Sequence, residues 1–135
     1  MSEASVLQSR IDVTSDDYQQ NLAEMQALWD EVAEQMASVP SIGGQRYVDR
    51  HRSRGKMLVR ERIEALIDPN TALLELSPLA GWGTQDPIGV GTFNGIGVIE
   101  GVECGIVGSD MTVRGGAGNP TTWNKQKRFF EIVRE

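Results

Sequence analysis

The stretch Ser109-Asp110-Met111-Thr112-Val113-Arg114-Gly115-Gly116-Ala117-Gly118-Asn119-Pro120 decides how this chain folds, because it joins the clearest strand pattern to a helix pattern. Glycines make up three of its last six residues, and they reach positive φ without steric cost. Asn119 and Pro120 form a helix start, a side-chain cap followed by a residue without an N–H. Such a loop directs N–H groups and a positive dipole at one point. We expect a phosphate or a developing oxyanion to bind there.

The residues on either side of this stretch predict a β-hairpin and a helix. Phe93 to Ile99 and Val102 to Gly108 show strand patterns, and they flank Glu100-Gly101, a two-residue hairpin signal. Glycines within both strands indicate that another layer approaches the sheet closely. The pattern from Pro120 to Val133 predicts a helix.

The first part of the chain is predicted to be mainly helical. Thr14-Ser15-Asp16-Asp17 is a capping cluster that starts a helix of about five or six turns. Its apolar stripe consists of Leu22, Met25, Trp29, Val32 and Met36. The opposite face is acidic, so we expect this helix to dock on a partner or on another part of the protein.

Shorter elements follow the first helix. Patterns predict helices at Gln45 to Arg54, with Gly55 as the C-terminal cap, and at Leu58 to Ile67. In the second of these we expect an inward face made of Leu58, Ile63, Leu66 and Ile67. Leu73 to Leu76 is a short strand candidate, and residues 81–91 form a long loop of the kind that is usually functional or mobile.

Composition narrows the class of protein. The 135 residues carry a net charge of −6, which argues against a nucleic-acid binder, and no apolar run is long enough for a membrane span. The single cysteine, Cys104, excludes an internal disulfide, and no group has metal-ligand spacing. No secretory signal pattern is present, so a cytoplasmic location is expected.

The charge is distributed unevenly along the chain. Residues 1–40 hold one Arg and eight acidic residues, whereas residues 41–68 hold seven basic and four acidic residues. This basic segment is either a solvated surface with internal pairs or a site for the phosphates of a nucleotide-like ligand. The glycine stretch lacks the Gly-Lys-Ser/Thr ending of a phosphate loop, and no side chain stands out as a general acid or base.

Several segments together resemble the carboxyltransferase (β) subunits of biotin-dependent acyl-CoA carboxylases. The matching segments, in chain order, are Arg52-Ser53-Arg54-Gly55-Lys56-Met57-Leu58-Val59-Arg60-Glu61-Arg62-Ile63, Leu66-Ile67-Asp68-Pro69, Leu74-Glu75-Leu76-Ser77-Pro78-Leu79-Ala80-Gly81, Asn94-Gly95-Ile96-Gly97-Val98-Ile99-Glu100-Gly101-Val102-Glu103-Cys104 and Asp110-Met111-Thr112-Val113-Arg114-Gly115-Gly116. The methylcrotonyl-CoA and geranyl-CoA carboxylase branch looks most similar.

The resemblance implies an α/β fold of the crotonase-like superfamily, present here in part. N-terminal helices would be followed by a β-hairpin, a glycine loop and a helix, as an incomplete domain. Residues 1–14 are expected to be a disordered N-terminus, and residues 15–135 to be the N-terminal part of the acyl-CoA carboxyltransferase N-domain. The last helix pattern reaches Arg134-Glu135 without a stop signal, which also predicts a fragment of a longer protein.

The resemblance also implies an activity, a partner subunit and an oligomer. A carboxyl group would pass from carboxybiotin to an acyl-CoA, as in a ligase or transferase, although this segment alone is expected to be inactive. Biotin would be carried by the partner (α) subunit, which supplies biotin carboxylase and biotin carrier functions, and β subunits would form a homo-oligomer. Coenzyme A would enter as part of the substrate, with no nucleic acid and no membrane involved.

Site residues follow from the matching positions. Arg52, Arg54 and Lys56 would face the CoA phosphates, and Gly115 and Gly116 would lie near the acyl-CoA pocket; neither a catalytic residue nor a metal ligand is predicted in this segment. A non-catalytic acyl-CoA-binding or assembly module and a decarboxylase subunit of the same superfamily remain alternatives. The chain departs from the family pattern by the bulky Trp123 and by Val59, where proline is common, which leaves the acyl-CoA substrate open.

Overall fold

The computed structural model describes residues 9–135 of the chain. The chain divides into two compact units after Glu34. Much of the segment that we expected to be disordered, residues 1–8, lies outside the described residues. No helix among residues 9–135 combines the length and hydropathy needed to cross a membrane.

The first helix, α1, spans Asp16–Ser38 and confirms the predicted N-terminal helix. The Ser15 hydroxyl accepts a hydrogen bond from the Tyr18 N–H at 3.3 Å, as a helix cap does, and two acidic residues occupy the first turn. None of the 23 residues of α1 is buried, and the side chain of Trp29 is 68% exposed. Four of the five residues of the apolar stripe are exposed, and Val32 is half-buried.

The second unit contains three helices and a three-stranded antiparallel sheet. A 3₁₀ turn at Val39–Ser41 leads to α2 (Gln45–Arg52) and α3 (Val59–Glu64). The sheet has the order β1-β2-β3, and the last helix is α4; their bounds are β1 Leu74–Glu75, β2 Thr92–Ile99, β3 Val102–Ser109 and α4 Pro120–Ile132.

The β2–β3 hairpin confirms the strongest local prediction. Glu100 has φ 50° and Gly101 has φ 77°, the left-handed pair that a tight two-residue hairpin turn requires. The Asp68 carboxylate accepts the N–H groups of both turn residues, at 2.8 and 2.7 Å. The pairing runs without a break from Ile99 opposite Val102 to Thr92 opposite Ser109.

Helices cover both faces of the hairpin. On one face Phe93 forms a core with Val59, Ile63 and Ile106, so α3 packs there. On the other face Phe129 of α4 is buried. A Cβ added at Gly108 would lie 2.6 Å from Val59, and one added at Gly105 would lie 3.1 Å from Phe129. The strand glycines thus allow the close approach of another layer, as the sequence predicted.

Some element bounds differ from the predictions. Helix α2 ends at Arg52, two residues early, and the chain then turns through Gly55, whose φ of +69° is left-handed. Helix α3 starts at Val59 because the Glu61 carboxylate caps the Leu58 N–H at 2.7 Å. Leu66 was predicted to face inward, which is wrong: it lies beyond the helix and its side chain is 51% exposed.

Candidate functional site

The end of α2, the turn after it and the glycine stretch enclose a basic pocket of about 320 Å³. We call it the basic pocket; its lining residues are Tyr47, Arg50, His51, Arg54, Lys56, Met111 and Gly115. Helical periodicity explains Tyr47, Arg50 and His51, since residues three and four apart share one face of α2, and the turn after the helix adds Arg54 and Lys56. The pocket therefore combines cationic side chains with an aromatic ring, a thioether and a glycine backbone.

The cations of the basic pocket have no acidic partners. Within the described part of the chain, ion pairs join Arg52 to Glu61, Arg60 to Glu75, Arg114 to Asp86 and Arg128 to Glu131. Arg50, Arg54 and Lys56 take part in none of them. Unpaired guanidinium and ammonium groups around one cavity suit a ligand with phosphate groups. Of the two interpretations of the basic segment, internal pairing accounts for Arg52 but not for the pocket residues.

The structure brings together three of the five predicted binding residues. Arg54, Lys56 and Gly115 line the basic pocket. Arg52 does not, because its side chain pairs with Glu61 at 2.7 Å and is 58% exposed. Gly116 also lies outside the lining, but a Cβ there would lie 2.6 Å from the sulfur of Met111, which does line the pocket.

Two N–H groups of the glycine stretch are bonded within its own turn. Arg114, Gly115 and Gly116 have φ values of 48°, 63° and 82°, and they form one tight turn. The N–H of Gly116 donates to the Val113 carbonyl at 2.8 Å, and the N–H of Ala117 donates to the Arg114 carbonyl at 3.2 Å. The expectation that these N–H groups converge on a ligand is wrong for these two residues.

The start of α4 already has an anionic partner. Asn119 caps the helix by accepting the Thr122 N–H at 2.9 Å, as the sequence predicted. The Asp86 carboxylate accepts hydrogen bonds from the Thr121 hydroxyl and the Asn119 amide, both at 2.5 Å. The hydrogen bond from Thr121, followed by that from Arg114, lowers the pKa of Asp86 below its ordinary value. A ligand phosphate is therefore better placed in the basic pocket than at this helix end.

A second depression of about 460 Å³ adjoins the basic pocket. Tyr47 and Gly115 line both cavities, so they form the wall that the two share. The remaining lining of the second depression is mainly uncharged and comprises Ile42, Gly43, Pro87, Thr112, Val113 and Arg114. Its only ionised lining residue, Arg114, is already paired with Asp86 at 2.7 Å. The two cavities thus differ in chemistry across one wall.

Substitution of Gly116 by valine should weaken ligand binding through Met111. A valine at φ +82° is strained, and its Cβ would displace the Met111 sulfur that lines the basic pocket. Because the resemblance implies an acyl-CoA ligand, we expect the affinity for acetyl-CoA, measured by calorimetry, to fall by about tenfold, the equivalent of roughly 1.4 kcal/mol. Gly83→Val is the matched control, since Gly83 has φ +76° with no atom within 4 Å of the added Cβ. Equal affinities for the two variants would contradict this account.

Sequence reasoning missed Lys125, a charged residue in the buried face of α4. Its ammonium donates to the carbonyl oxygens of Thr92 at 2.7 Å and Gly89 at 3.3 Å. Burial lowers the pKa of Lys125 to about 8, while the Glu75 carboxylate opposes this shift. The helical spacing of Lys125 and Phe129, four residues apart on one buried face, was the available signal.

Lys125 should make the stability of the chain depend on alkaline pH. The unfolded chain keeps this proton up to the ordinary pKa of 10.5, whereas the folded chain releases it from about pH 8. Between these values the unfolded state binds more protons, so stability rises with pH by up to about 1 kcal/mol per pH unit. Urea denaturation from about pH 7 to about pH 10 should show this rise relative to Lys125→Met. If the free energy of unfolding varied with pH in the same way for both proteins, the lowered pKa of Lys125 would be excluded.

Comparison with known proteins identifies the family. The carboxyl transferase domain model matches residues 50–135, which include the hairpin, the glycine stretch and every lining residue of the basic pocket except Tyr47. The chain belongs to the carboxyl transferase domain family. This confirms the resemblance read from the sequence.

Two proteins with similar sequences are β subunits of carboxylases. The chain is 45% identical over 96% of its length to a probable biotin-dependent acyl-coenzyme A carboxylase beta2 subunit of Mycobacterium tuberculosis. It is 42% identical over 97% of its length to the mitochondrial methylcrotonoyl-CoA carboxylase beta chain of Dictyostelium discoideum. It spans 25% and 23% of these two proteins, about a quarter of their length.

Solved structures agree with the sequence relatives. The P. aeruginosa geranyl-CoA carboxylase beta subunit matches 96% of the chain with a TM-score of 0.68 and 31% identity, and the chain covers 25% of it. The transcarboxylase 12S hexamer assembly, solved with methylmalonyl-coenzyme A bound, matches 81% of the chain with a TM-score of 0.69 and 28% identity, and the chain covers 22% of it. The helices and small antiparallel sheet described above are thus part of a carboxyltransferase fold.

Proposed function

We propose that this chain contributes part of the acyl-CoA site of a biotin-dependent carboxyltransferase β subunit with a crotonase-like fold. The observation that carries the proposal is the basic pocket, where Arg54, Lys56 and Gly115 meet and where neither cation has an acidic partner among residues 9–135, although the chain as a whole is acidic. The family match covers all three residues. The β-subunit relatives and the methylmalonyl-coenzyme A bound by the transcarboxylase 12S core support the choice of ligand class.

The geometry suggests how an acyl-CoA would lie. Its phosphates would meet Arg54 and Lys56, where charge-assisted hydrogen bonds are strong. The less polar part of the acyl-CoA would pass Tyr47 and Gly115, which line both cavities, and would reach the second depression. The guanidinium and ammonium groups of the basic pocket suit phosphate and not the neutral ring system of biotin. We therefore give these residues no role in holding biotin, which a partner subunit would carry.

The proposed reaction transfers a carboxyl group from carboxybiotin to the carbon that the acyl thioester acidifies. When bound, carboxybiotin would supply the carboxyl group by cleavage of its N–C bond, and the ureido nitrogen left behind would take up the proton that the carbon loses. Among residues 9–135 we assign no side chain to proton transfer. The role of this segment would be to bind and orient the thioester, which itself accelerates a reaction between two bound groups. We further propose assembly with other β subunits and a cytoplasmic location.

The test uses a chimera with a solved relative. This chain would replace the matching quarter of the geranyl-CoA carboxylase beta subunit, and the product would be assayed with its biotin-bearing partner on a panel of acyl-CoAs. We expect carboxylation of at least one acyl-CoA. A chimera that folds and assembles but carboxylates none of them would reject the proposal.

A second candidate function is a non-catalytic acyl-CoA-binding or assembly module. The observation in its favour is α1, an acidic helix with an apolar stripe and no buried residue. Under this alternative the chimera would assemble and bind CoA, but it would carboxylate none of the acyl-CoAs. Both functions predict CoA binding, so the chimera assay separates them.

A further inference from the structure

Asp86 is the centre of a hydrogen-bond network beside the candidate site. One of its carboxylate oxygens accepts from the Arg114 guanidinium at 2.7 Å and from the Asn119 amide at 2.5 Å. The other oxygen accepts from the Thr121 hydroxyl at 2.5 Å. Neither the family match nor the sequence patterns assign Asp86 a role.

These bonds tie together both ends of the glycine turn. Arg114 comes directly before Gly115, whereas Asn119 and Thr121 begin α4. Arg114 has φ 48°, a left-handed conformation that a non-glycine residue keeps only when its surroundings hold it there. The ion pair with Asp86 is the side-chain contact that holds it. The position of the Gly115 backbone therefore depends on a carboxylate from a different loop.

We propose that Asp86 is a positioning residue for the acyl-CoA site, acting through Arg114 on Gly115. This inference rests on the proposed function. Gly115 lines both the basic pocket and the second depression, so a displacement of the turn would change the wall between them. Only a carboxylate can accept all three hydrogen bonds, since an asparagine would present a donor group where one oxygen now lies.

Two ligands distinguish the basic pocket from the second depression. A small polyphosphate such as pyrophosphate needs the cations of the basic pocket, Arg54 and Lys56, and does not need the second depression. Acetyl-CoA must also cross the wall at Gly115. Loss of the Asp86 contacts should therefore weaken the binding of acetyl-CoA more than the binding of pyrophosphate. A general loss of structure would weaken the binding of both ligands equally.

The experiment compares Asp86→Asn and Arg114→Gln by calorimetry with acetyl-CoA and with pyrophosphate. We expect each variant to bind acetyl-CoA about tenfold more weakly, the effect of one lost charge-assisted hydrogen bond, and pyrophosphate within about twofold of the unaltered chain. The double variant should be no weaker than either single variant, because both act through the same contact. Arg114→Gln keeps the Asn119 and Thr121 contacts of Asp86. Because Arg114 also lines the second depression, hydrogen exchange of the turn in this variant is measured beside its affinity.

Hydrogen exchange without ligand provides an independent readout. The amides of Gly116 and Ala117 are bonded within the turn, and they should exchange about tenfold faster in Asp86→Asn. Amides paired between β2 and β3 should not change. Unchanged exchange in the turn, or unchanged acetyl-CoA affinity in both variants, would overturn the inference. Equal losses for acetyl-CoA and pyrophosphate would also overturn it. If Arg54→Gln with Lys56→Gln leaves acetyl-CoA binding intact, the proposed function fails instead, and the exchange result still decides the role of Asp86.

Discussion

Replacing Arg54 and Lys56 together by glutamine is expected to weaken acyl-CoA binding by about 100-fold or more. Both side chains line the basic pocket, and neither has an acidic partner among residues 9–135. Each charge-assisted hydrogen bond to a phosphate contributes about 1.5–3 kcal/mol, so the loss of two corresponds to at least two orders of magnitude in Kd. Calorimetric titration of the purified chain with acetyl-CoA measures the change.

The neighbouring residue Arg52 supplies the matched control. It carries the same charge in the same segment, but its guanidinium pairs with Glu61 outside the pocket. Arg52→Gln should change the affinity by no more than about twofold, since an exposed ion pair contributes little. Raising the salt concentration from about 50 to about 300 mM should weaken acetyl-CoA binding by the unaltered protein more than binding by the double variant, because salt screens the pocket charges. An equal loss in Arg52→Gln would show that net charge, and not the pocket, controls binding.

Phe93→Ala is expected to lower the free energy of unfolding by about 3–5 kcal/mol, a large fraction of the stability of a domain of this size. Phe93 is 2% exposed and packs against Val59, Ile63 and Ile106. Its ring also lies 5.4 Å from the guanidinium carbon of Arg60. Removing the ring therefore leaves a cavity between α3 and the hairpin. Urea denaturation followed by circular dichroism measures the change.

The control for this prediction is another large aromatic residue that is not buried. Trp123 lies in α4 and is 65% exposed, so Trp123→Ala should change the free energy of unfolding by no more than about 0.5 kcal/mol. If the two variants were equally stable, the core would not be centred on Phe93. A loss confined to Phe93→Ala would support the packing of α3 on the hairpin.

Local patterns predicted the elements of this fold where short-range chemistry decides them. The Glu100-Gly101 turn, the hairpin on either side of it and the Asn119 cap of α4 are all present. Errors arose at the boundaries of elements. Glu61 sets the start of α3, and Leu66 falls outside that helix, so the pattern that placed it inward did not apply.

The candidate site was predictable only in part. The basic segment and the glycine stretch were both identified, and they do meet, although they are about sixty residues apart in the chain. Sequence reasoning selected Arg52 with Arg54 because both belong to the family segment. In the structure, one face of α2 contributes Tyr47, Arg50 and His51 to the pocket, and the turn after the helix contributes Arg54.

The sequence by itself determined the family, the hairpin, the start of α4 and the presence of a basic segment, because each depends on residues within a few positions of one another. The tertiary structure alone decided which cations converge and which are neutralised. It also placed Asp86 at the start of α4, 33 and 35 residues before its partners there, and buried Lys125 against carbonyl oxygens more than thirty residues away. In the glycine stretch, Gly115 accordingly lines the two cavities, and Asp86 binds the residues on either side of this turn. The physical reason is that an ion pair or a buried charge depends on distances in space, which no local pattern encodes.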